Sequence, residues 1–394
     1  MSACTSVLYL GLRRAALEWR AELEAAQHHG YDAYVLSDGE LPPTGLPGTR
    51  TGTFSWGRTP DETAVQVVDQ IQERGWRPAA VVCWGDRFVP LTAMVAQRLG
   101  LPGTGVQAAL TCGDKAAQRR LLEPFGLNPS WRSGTTLDEL RGAIAELGTP
   151  AVFKLAHSSG GRGTTRLEVG TDLESVFKAT ALNYLPSDAF VVESVVEGSE
   201  HSVAGIVRDG RIQVAAVADK VVPAGSFETV ATVVPSGLGS GLDRVIDAAG
   251  TAVGAVGIGS GGFHVDLRLT ADGPVVLEVG ARLGGDLINS HLVPTATPGS
   301  YPYRDLLAVL SGQPLPPYRL PAAMAAMAMV LVPVGQRSAA DLAAELSRRP
   351  GVREVTGWPS ASSTGTLAVL TSVDDPGEVA AVADRLRAAA GGDG

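Results

Sequence analysis

Short apolar runs alternate with helical stretches over the first hundred residues. Val7-Leu-Tyr-Leu10, Tyr34-Val-Leu36 and Ala79 to Trp84 read as strands, each a compact apolar run bounded by polar or turn residues. Arg13 to His29, Glu62 to Arg74 and Phe88 to Leu99 carry apolar residues at helical spacing, and Gly30 and Gly100 stop the first and the last. Strands alternating with helices predict a parallel sheet with helices on both faces. The stretch Gly39 to Thr53, rich in Gly, Pro and Thr, is expected to be irregular.

From Asp114 the pattern changes. A helix over 114–126 leads into short strands and hairpins between about 131 and 235. Leu242 to Val256 reads as a helix, 263–281 as a long hairpin, and Tyr303 to Ser311 as a further helix. Gln313-Pro-Leu-Pro-Pro317 reads as a linker. The tail predicts a strand (Met327 to Val332), a helix (Ala339 to Arg348), two strands (Val352 to Trp358, Thr366 to Ser372) and a helix (Pro376 to Ala389), a small α+β unit. No internal repeat is present.

Composition narrows the class. The chain has 394 residues, 45% hydrophobic and 19% charged, as expected of a globular protein with more than one domain. The longest nearly unbroken apolar run, Ala322 to Val334, is too short to span a bilayer. No basic segment precedes Val7 to Leu10, so no secretory leader is expected. Cys4, Cys83 and Cys112 are scattered without a CxxC pair, which argues against a disulfide framework or cysteine zinc cluster and fits a reducing cytoplasm. A net charge of -9 argues against a general nucleic-acid binder but allows a local basic pocket for one small polyanion. Only four lysines (Lys115, Lys154, Lys178, Lys220) stand against 28 arginines, so their positions are worth following.

Two glycine-rich stretches invite comparison with nucleotide sites. Gly257-Ile-Gly-Ser-Gly-Gly262 has GxGxxG spacing, but a helix precedes it and a strand follows, the reverse of the dinucleotide fingerprint. No Gly-Lys dipeptide exists, so there is no Walker P-loop, and there is no HExxH. The second stretch, His157-Ser-Ser-Gly-Gly-Arg-Gly163, joins the strand Ala151 to Ala156 to the strand Thr165 to Val169. Its backbone N–H groups can wrap phosphate, with Lys154 as a point charge; a mobile surface hairpin fits the same residues. Phe190 to Val196, followed by Glu197-Gly-Ser-Glu200, can offer backbone groups to an adenine edge and a carboxylate to ribose; a buried strand with solvated acids is the plain alternative.

The hairpin Phe263 to Ala281 carries the sharpest signal. A turn centred on Asp272 places Asp266 opposite Glu278 and His264 opposite Gly280, with Arg282 on the same face. Like charges facing each other destabilise a sheet, so a purely structural role is unattractive. Two hard carboxylates at that spacing suit Mg²⁺ shared with substrate phosphates.

Together, Gly100-Leu-Pro-Gly103, Asp114-Lys115, Lys154 with its glycine loop, Glu193 to Glu200, and Phe263-His-Val-Asp266 with Leu277-Glu278-Val-Gly-Ala-Arg282-Leu-Gly-Gly-Asp286 resemble an ATP-grasp carboxylate–amine ligase. The likeness covers about residues 1–315, and the tail resembles the extra domain of bacterial L-amino acid ligases of the bacilysin-synthetase type. It implies a mixed α/β and α+β architecture: a Rossmann-like parallel-sheet domain (1–110), a two-part ATP-grasp core (111–198 and 199–315) and a C-terminal α+β domain (316–394).

The resemblance also implies roles. Lys115 and Lys154 would hold ATP phosphates under a lid made by Ser158, Ser159, Gly160, Gly161 and Gly163. Val152 and Leu277 would sandwich adenine, Glu193 with the backbone at Val195 and Val196 would read its edge, and Glu200 would bind ribose. Asp266 and Glu278 would hold Mg²⁺, with Mn²⁺ as a substitute. Arg282 would be catalytic beside Lys154, steadying the acyl phosphate and tetrahedral intermediate, and Glu228, His264 and Arg282 would meet substrate. The partners implied are small-molecule carboxylates and amines, with no nucleic acid or membrane and with a homodimer allowed. Lys178 falls outside the matched segments and reads as a solvated helix residue.

Two positions depart from the family pattern. Gly280 stands where many members have a metal-ligating asparagine, and Ala231-Thr232 stands where dipeptide ligases commonly have Gly-His. Two rivals remain: a carboxyphosphate-forming ligase of the purine-biosynthesis type and a non-catalytic nucleotide-binding regulator. A nicotinamide dehydrogenase is disfavoured, because no glycine fingerprint follows Val7 to Leu10.

Overall fold

A computed structural model describes residues 6–39, 45–185, 187–313, 325–359 and 365–391. Three sheets organise it. The first runs β3 (Thr49–Thr53), β2 (Asp32–Ser37), β1 (Ser6–Leu10), β4 (Pro78–Cys83), all parallel. β1 is buried along its whole length, as a strand covered on both faces must be, and after Ser6 its sequence is continuously apolar. The helices Ala16–His28, Pro60–Glu73 and Val89–Arg98 supply the covering layers. The strand β3 lies inside the stretch expected to be irregular. It is a half-exposed edge strand of Thr, Arg and Gly, with no apolar alternation to mark it.

The second sheet has four antiparallel strands in the order β5 (Trp131–Gly134), β8 (Phe190–Ser194), β6 (Ala151–Leu155), β7 (Thr165–Leu167). The helices Leu137–Leu147 and Leu173–Lys178 lie within the region expected to hold only strands and hairpins. The first carries a capping box, Thr136 with Glu139, a local signal worth about 1 kcal/mol that identifies its start. Lys178 is exposed at the end of the second helix. A helix at Val106–Cys112 was likewise not expected.

The third sheet is antiparallel and has eight strands: β13 (Pro274–Gly280), β12 (Gly261–Leu269), β9 (Ser199–Arg208), β10 (Arg211–Val221), β11 (Ala231–Val234), β14 (Ala326–Pro333), β16 (Thr366–Val373), β15 (Val352–Trp358). The C-terminal strands thus extend the same sheet through β11 and β14. The linker expected at 313–317 lies almost wholly outside the described residues. Phe263, Val265 and Leu267 of β12 pack with Val245, Ala249 and Val253 of the helix Leu242–Val256, in one core continuous with Val89, Leu91 and Val95 of the N-terminal region. That shared core joins Leu10, Leu36 and Cys83, at the carboxyl ends of the parallel strands, with Val276 and Val279 of β13. Among the described residues no helix is long and apolar enough to cross a membrane.

Candidate active site

The sheets enclose a cavity of about 1930 Å³. Lys115, Val152, Lys154, Ser158, Ser159, Gly160, Gly161, Glu193, Val195, Val196, Glu200, Glu228, His264, Asp266, Leu277, Glu278 and Arg282 all line it. Of the residues given a site role in the sequence only Gly163 is off the wall. Its backbone packs on Leu155, where an added Cβ would fall 2.5 Å from Cδ1.

Asp114 caps the helix Lys115–Leu122, accepting from the backbone N–H of Ala116 at 2.8 Å and Ala117 at 3.1 Å. The cap sets the direction of Lys115. Its buried ammonium donates to the Ser158 carbonyl at the root of the glycine loop and to Glu278 at 3.2 Å. One turn on, Arg119 is almost fully buried, meets Glu193 at 2.6 Å and donates to the Leu277 carbonyl at 2.6 Å. Arg119 thereby ties the four-stranded sheet to β13. It was not singled out in the sequence, although Lys115, Gln118, Arg119 and Leu122 fall on one helical stripe, and charges placed where a core stripe belongs are a readable signal.

Lys154 of β6 meets the other oxygen of Glu193 at 2.8 Å. Burial pushes the Glu193 carboxyl up, but Arg119 and Lys154 outweigh it and hold the group down at about 2. Both oxygens of Glu193 are therefore engaged. Glu200 pairs with Arg268 at 3.0 Å, and Arg268 also donates to the Val196 carbonyl at 2.7 Å.

In the hairpin, Asp266 does face Glu278 and His264 does face Gly280. The register shifts between Asp266 and Leu267, so Leu267 pairs with Val276 and Leu269 with Pro274. Leu277 is the extra residue of a β-bulge, which turns its carbonyl toward Arg119. The two acids do not simply repel each other across the hairpin, because each has a lysine. Asp266 pairs with Lys220 at 3.0 Å, and Glu278 with Lys115. Burial raises the Asp266 carboxyl, and Lys220, His264 and Ser202 together more than reverse the shift. Lys220, one of the four rare lysines but given no role in the sequence, also lies 3.9 Å from Asp286.

His264 accounts for Gly280. A Cβ at 280 would lie 2.0 Å from His264 Cε1, so the imidazole fills the space where an asparagine would stand. Burial and the Arg282 charge lower the His264 pKa, and Nδ1 lies 3.1 Å from the Arg282 carbonyl. The Arg282 guanidinium is gripped by both oxygens of Asp86, which follows β4 of the parallel sheet. Glu228 is exposed on the loop after β10 and has no ion pair among the described residues.

Among the described residues no cluster of three or more His, Cys, Asp or Glu could hold a metal unaided. Asp266 and Glu278 fit a Mg²⁺ ion that takes its remaining ligands from phosphates. Asp266 Oδ1 is buried and has no hydrogen-bond partner among the described residues, so its lone pairs are available to a hard cation.

Residues 148–290 match the model of the ATP-grasp domain, and the chain carries that domain within an ATP-grasp fold. The L-amino acid ligase from Bacillus licheniformis superposes with a TM-score of 0.78 over 98% of each chain at 22% identity, a likeness of fold. Carnosine synthase 1 of Gallus gallus is 29% identical over 321 residues, covering 75% of this chain and 34% of that protein. Alanine–anticapsin ligase of Bacillus subtilis (strain 168) is 27% identical over 251 residues, 57% of this chain and 52% of that one. The chain spans about half or less of the length of these curated relatives.

Proposed function

We propose that the chain is an ATP-dependent ligase that activates a carboxylic acid, an amino acid or close relative, as an acyl phosphate and joins it to an amine with release of ADP and phosphate. One observation carries this reading: three of the four lysines, a facing pair of acids and Arg282 converge on a single cavity roofed by a glycine loop. The sequence likeness to amide-forming ligases supports the same class.

The division of labour follows from charge and reach. Val152 and Leu277 flank adenine, and the backbone from Ser194 to Val196 meets its edge. Glu193 orients Lys154, and Glu200, steadied by Arg268, takes the ribose. Lys115 and Lys154 neutralise the β- and γ-phosphates. Asp266 and Glu278 would hold Mg²⁺, which would supply charge neutralisation for the phosphoryl group when bound. A substrate carboxylate oxygen attacks the γ-phosphorus, the β–γ bridging P–O bond breaks, and ADP leaves. The amine nitrogen then attacks the acyl carbon, loses a proton, and phosphate departs. Arg282, a permanently charged fork, steadies the oxyanion between these events. The exposed Glu228 and the neutral His264 receive the amino groups. The loop 158–163 closes to keep water from the acyl phosphate.

Incubation of the protein with Mg-ATP and paired amino acids, with hydroxylamine as a universal amine, tests the proposal. ADP, phosphate and a hydroxamate are expected. AMP with pyrophosphate, or turnover only with bicarbonate as the acid, would overturn it.

A further inference from the structure

The segment after Arg282 is strained. Asp286 and Leu287 are consecutive non-glycine residues in the left-handed region, with φ of 57° and 56°. Such residues persist only where their surroundings hold them, and Asp286 faces the cavity. The holding contacts come from far away in sequence. Arg13, in the turn after β1, donates to the Leu283 carbonyl at 2.6 Å and to the Gly284 carbonyl at 2.9 Å. The same guanidinium donates to Glu18 at 3.1 Å, to the Tyr303 hydroxyl at 2.5 Å and to the Trp84 carbonyl at 3.3 Å. Asn289 adds a bond to the Gly284 carbonyl at 3.1 Å, and the Leu287 backbone N–H faces Glu18.

We propose that Arg13 is a positioning residue for the ligase reaction: by holding the Leu283 and Gly284 carbonyls it fixes the left-handed turn at Asp286–Leu287 and the direction from which Arg282 meets the reacting centre. The inference rests on the ligase reading for what Arg282 does. The N-terminal domain then grips the site twice, with Asp86 on the Arg282 side chain and Arg13 on the backbone just beyond it. Only an arginine satisfies this geometry, because its planar fork serves three carbonyls, a carboxylate and a hydroxyl at once. Glu22 lies in the same cage but takes none of the five donors of the fork: its Oε2 accepts from the Arg13 backbone N–H at 3.3 Å, and its Oε1 stands 3.8 Å from Arg13 Nε. Burial raises the Glu22 carboxyl to about 8, and among the described residues its Oε1 accepts no hydrogen bond.

A cage that merely stabilised the N-terminal domain would behave differently from one that aims Arg282, and two variants separate them. Arg13→Lys keeps the charge and loses the fork. It is expected to lower kcat about tenfold or more while Mg-ATP binding stays within about twofold. Glu22→Gln, the neutral counterpart in the same cage, should leave kcat within about twofold whatever it does to the melting temperature. If Arg13→Lys does not fold, Tyr303→Phe removes one anchor of the fork and should show the same split with a smaller loss. Full kcat in folded Arg13→Lys, or an equal kcat loss in Glu22→Gln, would overturn the proposal. If the wild-type protein turns over no acid with any amine or hydroxylamine, the ligase reading fails on its own, and hydrogen exchange decides the positioning claim. Arg13→Lys should then speed exchange of the 283–289 amides about tenfold while β6 and β8 are unchanged; unchanged exchange at 283–289 would refute it.

Discussion

Glu193 and Glu278 each sit beside a lysine, yet their surroundings differ. Glu193 is sealed, its side chain 2% exposed, with Arg119 on one oxygen and Lys154 on the other. Glu278 is 26% exposed on the cavity wall and shares one lysine with the root of the glycine loop. A carboxylate with both oxygens engaged is a fixture that aims its neighbours. One with spare lone pairs and a partner that other anions can attract is free to change partners when nucleotide arrives. The hairpin places Asp266, whose Oδ1 has no hydrogen-bond partner among the described residues, in the second category.

Removing Glu193 should have the largest effect on the fold. Glu193→Ala leaves Arg119 and Lys154 in a buried site without their counter-charge, and a loss of about 3–5 kcal/mol in denaturant unfolding is expected. Glu278→Gln should cost less than about 1 kcal/mol, because a partly exposed pair contributes little. It should nevertheless lower turnover about a hundredfold or more and remove most of the thermal stabilisation by Mg-ATP. Equal stability losses in the two variants would erase the contrast.

Acid sharpens the same contrast. The Glu193 carboxyl titrates near 2 in the folded chain against an ordinary value of 4.5. The unfolded state therefore binds the proton first. The stability Glu193 contributes is complete above about pH 4.5 and is lost as pH falls toward 2. A stability titration of wild type should fall through that window more steeply than one of Glu193→Gln; parallel curves would refute the assignment.

The smallest effects belong to the glycine loop. Gly160 and Gly161 have φ of 62° and 69° with open space beside them. Alanine at either should cost about 1 kcal/mol of backbone strain, whereas Gly163→Ala should cost more because it also strikes Leu155. Thermal melts of the three variants rank them.

Local patterns made much of this fold legible. β1, the helix Leu242–Val256 and the C-terminal elements stand close to their expected bounds, since each carries its own apolar period. The acid pair was found by two offsetting displacements. The turn lies half a step earlier than a centre at Asp272, and the bulge at Leu277 restores the register. Nothing in Val275-Val-Leu-Glu-Val279 marks that bulge, since it has neither glycine nor proline. The partners of the acids were hidden for another reason. Lys220 reaches Asp266 across 46 residues, Asp86 reaches Arg282 across 196, and Arg13 reaches Leu283 across 270. Such contacts are products of sheet order, which no local period encodes.

The central claim, that a carboxylate oxygen attacks the γ-phosphate in this cavity, has one direct measurement. An acid found active in the ADP screen is labelled with ¹⁸O in its carboxylate, and the phosphate released with ADP is examined by mass spectrometry. One labelled oxygen in inorganic phosphate is the predicted result. Label retained wholly in the acid and its amide, or appearing in AMP, would contradict the account.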